Sequence, residues 1–207
     1  MNLLGLEVNS NLDSKERDRD LIRRMLNCSG CPWKERKCQT VLPEGSVDAQ
    51  LMIVGRSPGV DEDREGLPFI GKGGKYLDKF LEAAKVKRSK TRITNLAHCY
   101  GGPGDPPPTE DVYDACQPLL EEEIQIVKPK MVLLLGNDTF RRVLKYKESC
   151  TKYQGQVITP EDRKLNFFIA SHPGYWCRQP KYFQETIIAD TAVKFNEALY
   201  KYEVDCF

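Results

Sequence analysis

Four short strand-like runs, Leu51–Val54, Arg92–Thr94, Met131–Leu135 and Phe167–Ala170, alternate with four helical patterns, Gly74–Ala84, Glu110–Val127, Asp138–Leu144 and Phe183–Tyr200. The second and last of these helices carry apolar residues at amphipathic spacing. Strand and helix in alternation demand right-handed crossovers, so the strands must lie parallel in one sheet with helices over both faces. The expected fold class is therefore α/β. It is a three-layer α/β/α sandwich around a central, mainly parallel four-stranded sheet. Ahead of it, Ser14–Leu26 reads as a charged helix with Leu21, Ile22, Met25 and Leu26 on one side, leading into a cysteine-rich loop. This N-terminal helical and loop segment, residues 1–45, is expected to belong to a single domain spanning 1–207. The stretch Gly101–Pro108, GGPGDPPP, excludes regular structure and is expected to form a stiff loop after the second strand.

With 207 residues, 40% hydrophobic and 29% charged, the chain can bury one good core. No run approaches the length needed to span a bilayer, and the amino terminus lacks an apolar segment followed by a small-residue cleavage site. A cytoplasmic protein without membrane association is expected. Eight cysteines then point to metal ligation or buried thiols rather than a disulfide framework. A formal net charge of +1 is no nucleic-acid signature by itself. Locally, Lys85, Lys87, Arg88, Lys90 and Arg92, with Arg141, Arg142, Lys145 and Lys147, could neutralise a phosphate backbone or simply form solvated faces.

Function should reside where the first strand ends. The run LMIVG breaks into the proline-glycine turn Ser57-Pro58-Gly59, passes an acidic cluster containing Glu62 and Asp63, and reaches Pro68-Phe69-Ile70-Gly71-Lys72-Gly73-Gly74, which opens a helix. Such a segment puts functional groups at the carboxyl edge of a parallel sheet, where ligands bind. The last strand leads to Ser171-His172-Pro173-Gly174-Tyr175 at the same edge, with Arg178 beyond it. Cys28-Ser-Gly-Cys31 is a two-ligand hairpin of the kind that holds zinc or iron-sulfur clusters, because two intervening residues let both thiolates face one metal.

The order and spacing of these parts resemble the uracil-DNA glycosylase superfamily, most closely its iron-sulfur branch, family 4. That group reads G-E-A-P-G, an acidic pair and P-F-V-G-x-A-G where this chain has Gly55-Arg56-Ser57-Pro58-Gly59, Glu62-Asp63 and Pro68-Phe69-Ile70-Gly71. Thr94-Asn95-Leu96-Ala97-His98-Cys99 is similar to T-N-x-x-K-C, and Cys116-Gln117-Pro118-Leu119-Leu120 to C-x-P-Y-L. The family carries H-P-S and then an arginine where this chain has His172-Pro173-Gly174 and Arg178. Arg56, Ser57 and Gly174 depart from the pattern. The resemblance implies that Cys28, Cys31, Cys99 and Cys116 hold a structural 4Fe-4S cluster; tetrahedral zinc would use the same four thiolates. Cys38 stands close enough in sequence to compete for that site, while Cys150, Cys177 and Cys206 match no motif.

The resemblance also implies a DNA partner, a monomer, and hydrolysis of an N-glycosidic bond after a nucleotide is flipped from the stack. Phe69 would stack on the flipped base and Asn95 would read its Watson–Crick edge, with an amide that matches uracil one way round and cytosine the other. His172 would donate a hydrogen bond to the departing base. With Ser57 where other branches have an aspartate, Glu62 and Asp63 are the candidates for positioning water. Arg56, Ser57, Pro58, Gly59, Gly174 and Arg178 complete the expected substrate site. Gly59 replaces a tyrosine that walls off pyrimidine C5 in the best-known branch, leaving that space open. Uracil is the leading substrate. A larger modified pyrimidine, hydroxymethylated or glucosylated, and a non-catalytic DNA-binding role are the alternatives.

Overall fold

The structure is a computed structural model and describes residues 13–35 and 39–207. Helix α1, Ser14–Leu26, starts at a reciprocal cap in which the Glu16 amide donates to the Asp13 carboxylate at 2.8 Å and the Asp13 amide to Glu16 at 3.4 Å. The chain then alternates: β1 (Leu51–Gly55), α2 (Val60–Glu65), α3 (Lys72–Ala83), β2 (Thr91–Asn95), α4 (Glu110–Val127), β3 (Met131–Leu135), α5 (Asn137–Leu144), β4 (Val157–Ile158), β5 (Asn166–Ala170), α6 (Pro173–Trp176) and α7 (Lys181–Lys201). Pro118 lies inside α4 on its exposed side. Residues 101–108 form no helix or strand, as their proline and glycine content requires.

The sheet order is β2-β1-β3-β5-β4. The pairs β1–β2, β1–β3 and β3–β5 are parallel, with Gly55 opposite Asn95 at the site end. The expectation of four strands needs correction to five. β4 has only two residues, both half-buried, and pairs antiparallel with β5. So short a segment has no apolar run of its own; β5 supplies the partner that makes it a strand. The outer edge of β2 is covered too, because Glu44 and Ile93 exchange backbone hydrogen bonds at 2.8 and 2.9 Å.

Alternation along each strand sorts the core into two halves. Leu51, Ile53, Ile93, Leu133 and Phe168 face α3 and α7, meeting Leu77, Phe80, Phe195 and Leu199. Met52, Val54, Val132, Leu134 and Phe167 face the other way, towards Leu120 on α4 and Phe140 and Val143 on α5. Burial of each such side chain contributes about 1.5–3 kcal/mol, so both faces must stay covered. α1 packs Leu21 and Met25 against Ile126 and Val127 of α4. No helix among the described residues is long and apolar enough to cross a membrane.

Arg92, within the basic run that could have faced DNA, is instead buried in this joint. Its guanidinium donates to Glu123 at 2.7 Å and to Asp18 at 2.6 Å, with 3% of the arginine side chain and none of the Glu123 side chain exposed. A strand residue whose side chain points at the α1–α4 layer cannot also reach a phosphate.

Candidate active site

β1 and β2 end side by side, and the last residue of β1 has to be glycine. A Cβ on Gly55 would sit 2.4 Å from Phe69 Cζ and 2.5 Å from Asn95 Oδ1. The aromatic ring and the amide therefore converge over the bare Cα. Phe69 reaches this position from a left-handed backbone conformation, φ 52°, which is uncommon for an aromatic residue. Arg88 holds that turn, donating to the carbonyls of Pro68 at 2.8 Å and Phe69 at 3.3 Å while ion-paired to Glu44 and Asp78. Gly74 allows the turn to press on α3, since a Cβ there would lie 1.8 Å from the Phe69 carbonyl oxygen. Sequence reasoning counted Arg88 only as part of a basic run; no local pattern marks it as the brace of Phe69.

Asn95 is 3% exposed, and its Oδ1 has no hydrogen-bond partner. A buried amide acceptor left unpaired costs about 1–3 kcal/mol, an expense that a ligand N–H donor would remove. His172 follows β5 and lies beside Phe69, with ring centroids 5.9 Å apart and planes at 33°. The histidine backbone fits because Gly136, at φ 95°, has no Cβ; one there would stand 3.1 Å from His172 Cβ. Behind it, Ser171 accepts from the buried Trp176 indole at 2.6 Å and its amide donates to Gln154 at 2.7 Å, which anchors α6.

The His172 ring has a defined proton. Nδ1 accepts from the Gly174 amide at 3.0 Å, so the neutral ring carries hydrogen on Nε2. Burial pushes its pKa down to about 4, and the positive charges of Arg56 and Arg178 push in the same direction. Near neutrality the ring is an uncharged donor.

The carboxylates and glycines play parts that their types alone do not disclose. Glu62 accepts from the amides of Gly59 at 3.0 Å, Ile70 at 3.0 Å and Gly71 at 2.8 Å, tying the turn after β1 to the turn bearing Phe69. Asp63, also buried, accepts from the Gln39 amide at 3.3 Å. Pro58 is buried in the first turn. A Cβ on Gly59 would lie 2.7 Å from Glu62 Oε2, so that glycine makes room for the Glu62 clamp. A Cβ on Gly174 would lie 3.0 Å from His172 Nδ1 and 3.7 Å from Arg178 Nη1. Arg56 pairs with Asp105 of the proline-glycine loop at 2.8 Å, and its Nε donates to Ser57 Oγ at 3.3 Å. Phe69, Asn95, His172, Gly174 and the two arginines thus gather at one end of the sheet, with Glu62 behind them.

The cysteines form a second neighbourhood beside it. Cys116 is buried on α4 with Trp33, Ala97 and Val112, and Cys31 and Cys99 pack against the same group. Burial pushes the Cys116 thiol up to about 12, and Cys31, Cys99 and Cys28 add to that rise. Among the described residues no three or more His, Cys, Asp or Glu side chains are gathered as a metal site. Cys38 lies outside the described residues. The Ala97 amide donates to the Arg56 carbonyl at 3.0 Å, so the segment leading to Cys99 is bonded to the turn that bears the arginine.

A family model described as the uracil DNA glycosylase superfamily matches residues 42–196. The chain is 31% identical over 169 residues to a type-4 uracil-DNA glycosylase of Sulfurisphaera tokodaii, covering 78% of this chain and 75% of the relative. It is 30% identical over 165 residues to the type-4 enzyme of Pyrobaculum aerophilum, covering 74% and 81%. With that of Saccharolobus solfataricus the identity is 33% over 153 residues, covering 72% and 69%. The matched span runs from before β1 to within α7 and takes in the whole sheet edge just described, so the chain belongs to the uracil DNA glycosylase superfamily.

Proposed function

We propose that this protein is a DNA glycosylase that flips a deoxyuridine into the sheet-edge pocket and hydrolyses its N-glycosidic bond, leaving an abasic site. The observation that carries this reading is the trio of Asn95, Phe69 and His172: an unsatisfied amide oxygen, an aromatic face and a neutral imidazole whose proton is on Nε2. Uracil N3–H would pair with Asn95 Oδ1, and its ring would stack on Phe69, worth about 1–3 kcal/mol. As the C1′–N1 bond breaks, its electron pair moves into the base, and His172 Nε2–H donates to the oxygen where the charge collects. A preorganised donor of this kind contributes about 2.7–4 kcal/mol. The sugar left behind is cationic and captures a water, whose proton then departs to solvent.

Such a cation needs no strong base to activate the water. That agrees with the use of Glu62, whose oxygens already serve three amides; it acts as the clamp that positions Phe69. Asp63 holds the Gln39 segment against α2 in the same reading. A site for a larger modified pyrimidine draws no support from Gly59, because its missing Cβ accommodates Glu62.

Cys28, Cys31, Cys99 and Cys116 would hold a 4Fe-4S cluster: the donors are all thiols, they share one neighbourhood, and Cys99 lies four residues beyond Asn95. When bound, the group supplies a cross-link between the cysteine loop, the β2 end and α4. Zinc on the same thiolates is the alternative.

The test is abasic-site formation on oligonucleotides carrying uracil, hydroxymethyluracil, hydroxymethylcytosine or cytosine, read by alkaline cleavage. Release of uracil, slowed about 10²–10³-fold in His172→Ala, is expected. No release of any base by the protein would leave a non-catalytic binder, and release of a modified base in preference to uracil would overturn the substrate.

A further inference from the structure

The antiparallel ladder between β4 and β5 does not stop where β4 does. Ile158 and Val157 lie opposite Phe167 and Phe168. The Ile169 amide then donates to the Gln156 carbonyl at 3.0 Å, and the Gly155 amide to the Ile169 carbonyl at 2.8 Å. At Gly155, φ 72°, the chain bends away from β5 against α7, where a Cβ would lie 2.7 Å from Lys194 Cδ. The next donor on that side of the strand, two residues beyond Ile169, is the Ser171 amide. A side chain meets it in place of a backbone carbonyl: Gln154 Oε1 accepts it at 2.7 Å. The glutamine is held at its other end too, because Nε2 donates to Thr191 Oγ1 at 3.1 Å, and Thr191 is buried in α7. His172 is the residue after Ser171 and caps α6.

We propose that Gln154 is a positioning residue for His172: its side chain extends the β4–β5 ladder to Ser171 and so fixes the backbone from which the imidazole Nε2–H is aimed at the departing base. This deepens the glycosylase reading and rests on it. The bond from the Gly174 amide to His172 Nδ1 sets the rotation of the ring, but both partners belong to the start of α6 and move with it. α6 has four residues, too few to hold itself in place. Its attachment to the rest of the molecule runs through Ser171, whose hydroxyl accepts from the Trp176 indole and whose amide is bonded to Gln154. Only the second of these bonds leads out of α6, to the sheet edge and to α7. A donor to a developing charge is worth most when it is in place beforehand, and a shift of about 1 Å costs roughly 10²-fold. Without Gln154 the ring keeps its proton on Nε2 and loses its aim.

The experiment measures single-turnover uracil release by the parent, Gln154→Leu, Gln154→Glu and Thr191→Val, each alone and combined with His172→Ala. Binding is measured alongside, to an oligonucleotide carrying 2′-fluoro-deoxyuridine, whose glycosidic bond resists cleavage. The expected result for Gln154→Leu is release slowed about 10–100-fold, with binding within about twofold of the parent because His172 acts on the transition state. Once His172 is alanine, Gln154→Leu should cost no more than about a further twofold. Gln154→Glu should recover most of the rate, since its carboxylate still accepts from the Ser171 amide and the Thr191 hydroxyl can donate to it. Thr191→Val frees only the far end of the glutamine and should fall between the parent and Gln154→Leu; it carries the same test if the leucine variant does not fold. A parental rate in folded Gln154→Leu overturns the proposal, as does a loss that persists in full beside His172→Ala or that falls on binding instead of release, since a merely structural glutamine predicts those results. If the parent releases no base, the glycosylase reading is what fails, and the His172 ring resonances still decide the positioning: narrow in the parent and exchange-broadened in Gln154→Leu if the glutamine holds the histidine, unchanged if it does not.

Discussion

Gly55→Ala should disable the site while leaving the fold standing. Gly55 is strand residue with no positive φ, so alanine is tolerated by the backbone itself. The obstruction comes from across the pocket: the new methyl would lie 2.4 Å from Phe69 Cζ and 2.5 Å from Asn95 Oδ1. Non-bonded carbons rest at about 3.5–4.0 Å, so the ring must retreat by about 1 Å or the amide must turn away. Neither has a soft route. Phe69 is braced through its carbonyl by Arg88 and against α3 at Gly74, and Asn95 is held by its pairing in β2. Overpacking of this kind costs about 1–3 kcal/mol of stability, a fall of about 2–4 °C in Tm per kcal/mol for a chain of this size. A displacement of about 1 Å in a positioning group costs roughly 10²-fold in rate. Base release under single-turnover conditions and a thermal melt measure the two effects separately. Gly73→Ala is the control, because its Cβ would stand at an ordinary 3.7 Å from the nearest atom, the Gly174 amide nitrogen, and its rate should stay within about twofold of the parent. Parental kcat/KM in folded Gly55→Ala would refute the placement of Phe69 and Asn95 in the working site.

The remaining predictions concern pH, the buried ion pair and the thiols. His172 has its pKa lowered in the folded state to about 4 from 6.5, so the unfolded chain binds the extra proton first as the solution is acidified. Its contribution to stability is complete above about pH 6.5 and is lost as pH falls towards 4; Tm measured across that window should drop less steeply in His172→Gln than in the parent. Glu123→Ala removes one of the two carboxylates on the buried Arg92 and leaves Asp18 to compensate its charge, so it should destabilise by about 1–3 kcal/mol in denaturant titration. The rate per folded molecule should survive, because that pair sits on the α4 side of β2 and not at its end. Anaerobically purified protein should be brown and contain about four iron atoms per chain, a content lost on substituting Cys116 with serine. Colourless protein with one zinc per chain would overturn the iron assignment.

Much of the fold was legible because its signals are local. α1, α4 and β3 fall on the residues that periodicity marks, and the other main elements differ only by a few residues at their ends. The strands are continuous apolar runs because both faces of the sheet are covered, and α4 shows amphipathic spacing because one side of it meets solvent, so both are short-range patterns. β4 was not legible, since its strand character comes from β5 and not from its own two residues. α2 was hidden for a related reason: its acidic sequence looks like a loop, and it becomes a helix with Glu62 folding back to cap Gly59.

The sequence by itself determined that glycine, proline, asparagine, phenylalanine and histidine would meet at the carboxyl edge of a parallel sheet, because chain order and crossover handedness place every strand end on one side. Tertiary structure alone decided what each charge does. Arg56 finds Asp105 across 49 positions, Arg92 finds Glu123 across 31, and Arg88 reaches back 19 and 20 positions to the carbonyls of Phe69 and Pro68. A lysine or arginine in a sequence announces only a charge; whether that charge is buried, braced or aimed at a ligand depends on which distant segments pack around it. The same holds for Glu62, a candidate for positioning water by sequence, whose bonds to three backbone amides only the tertiary structure discloses.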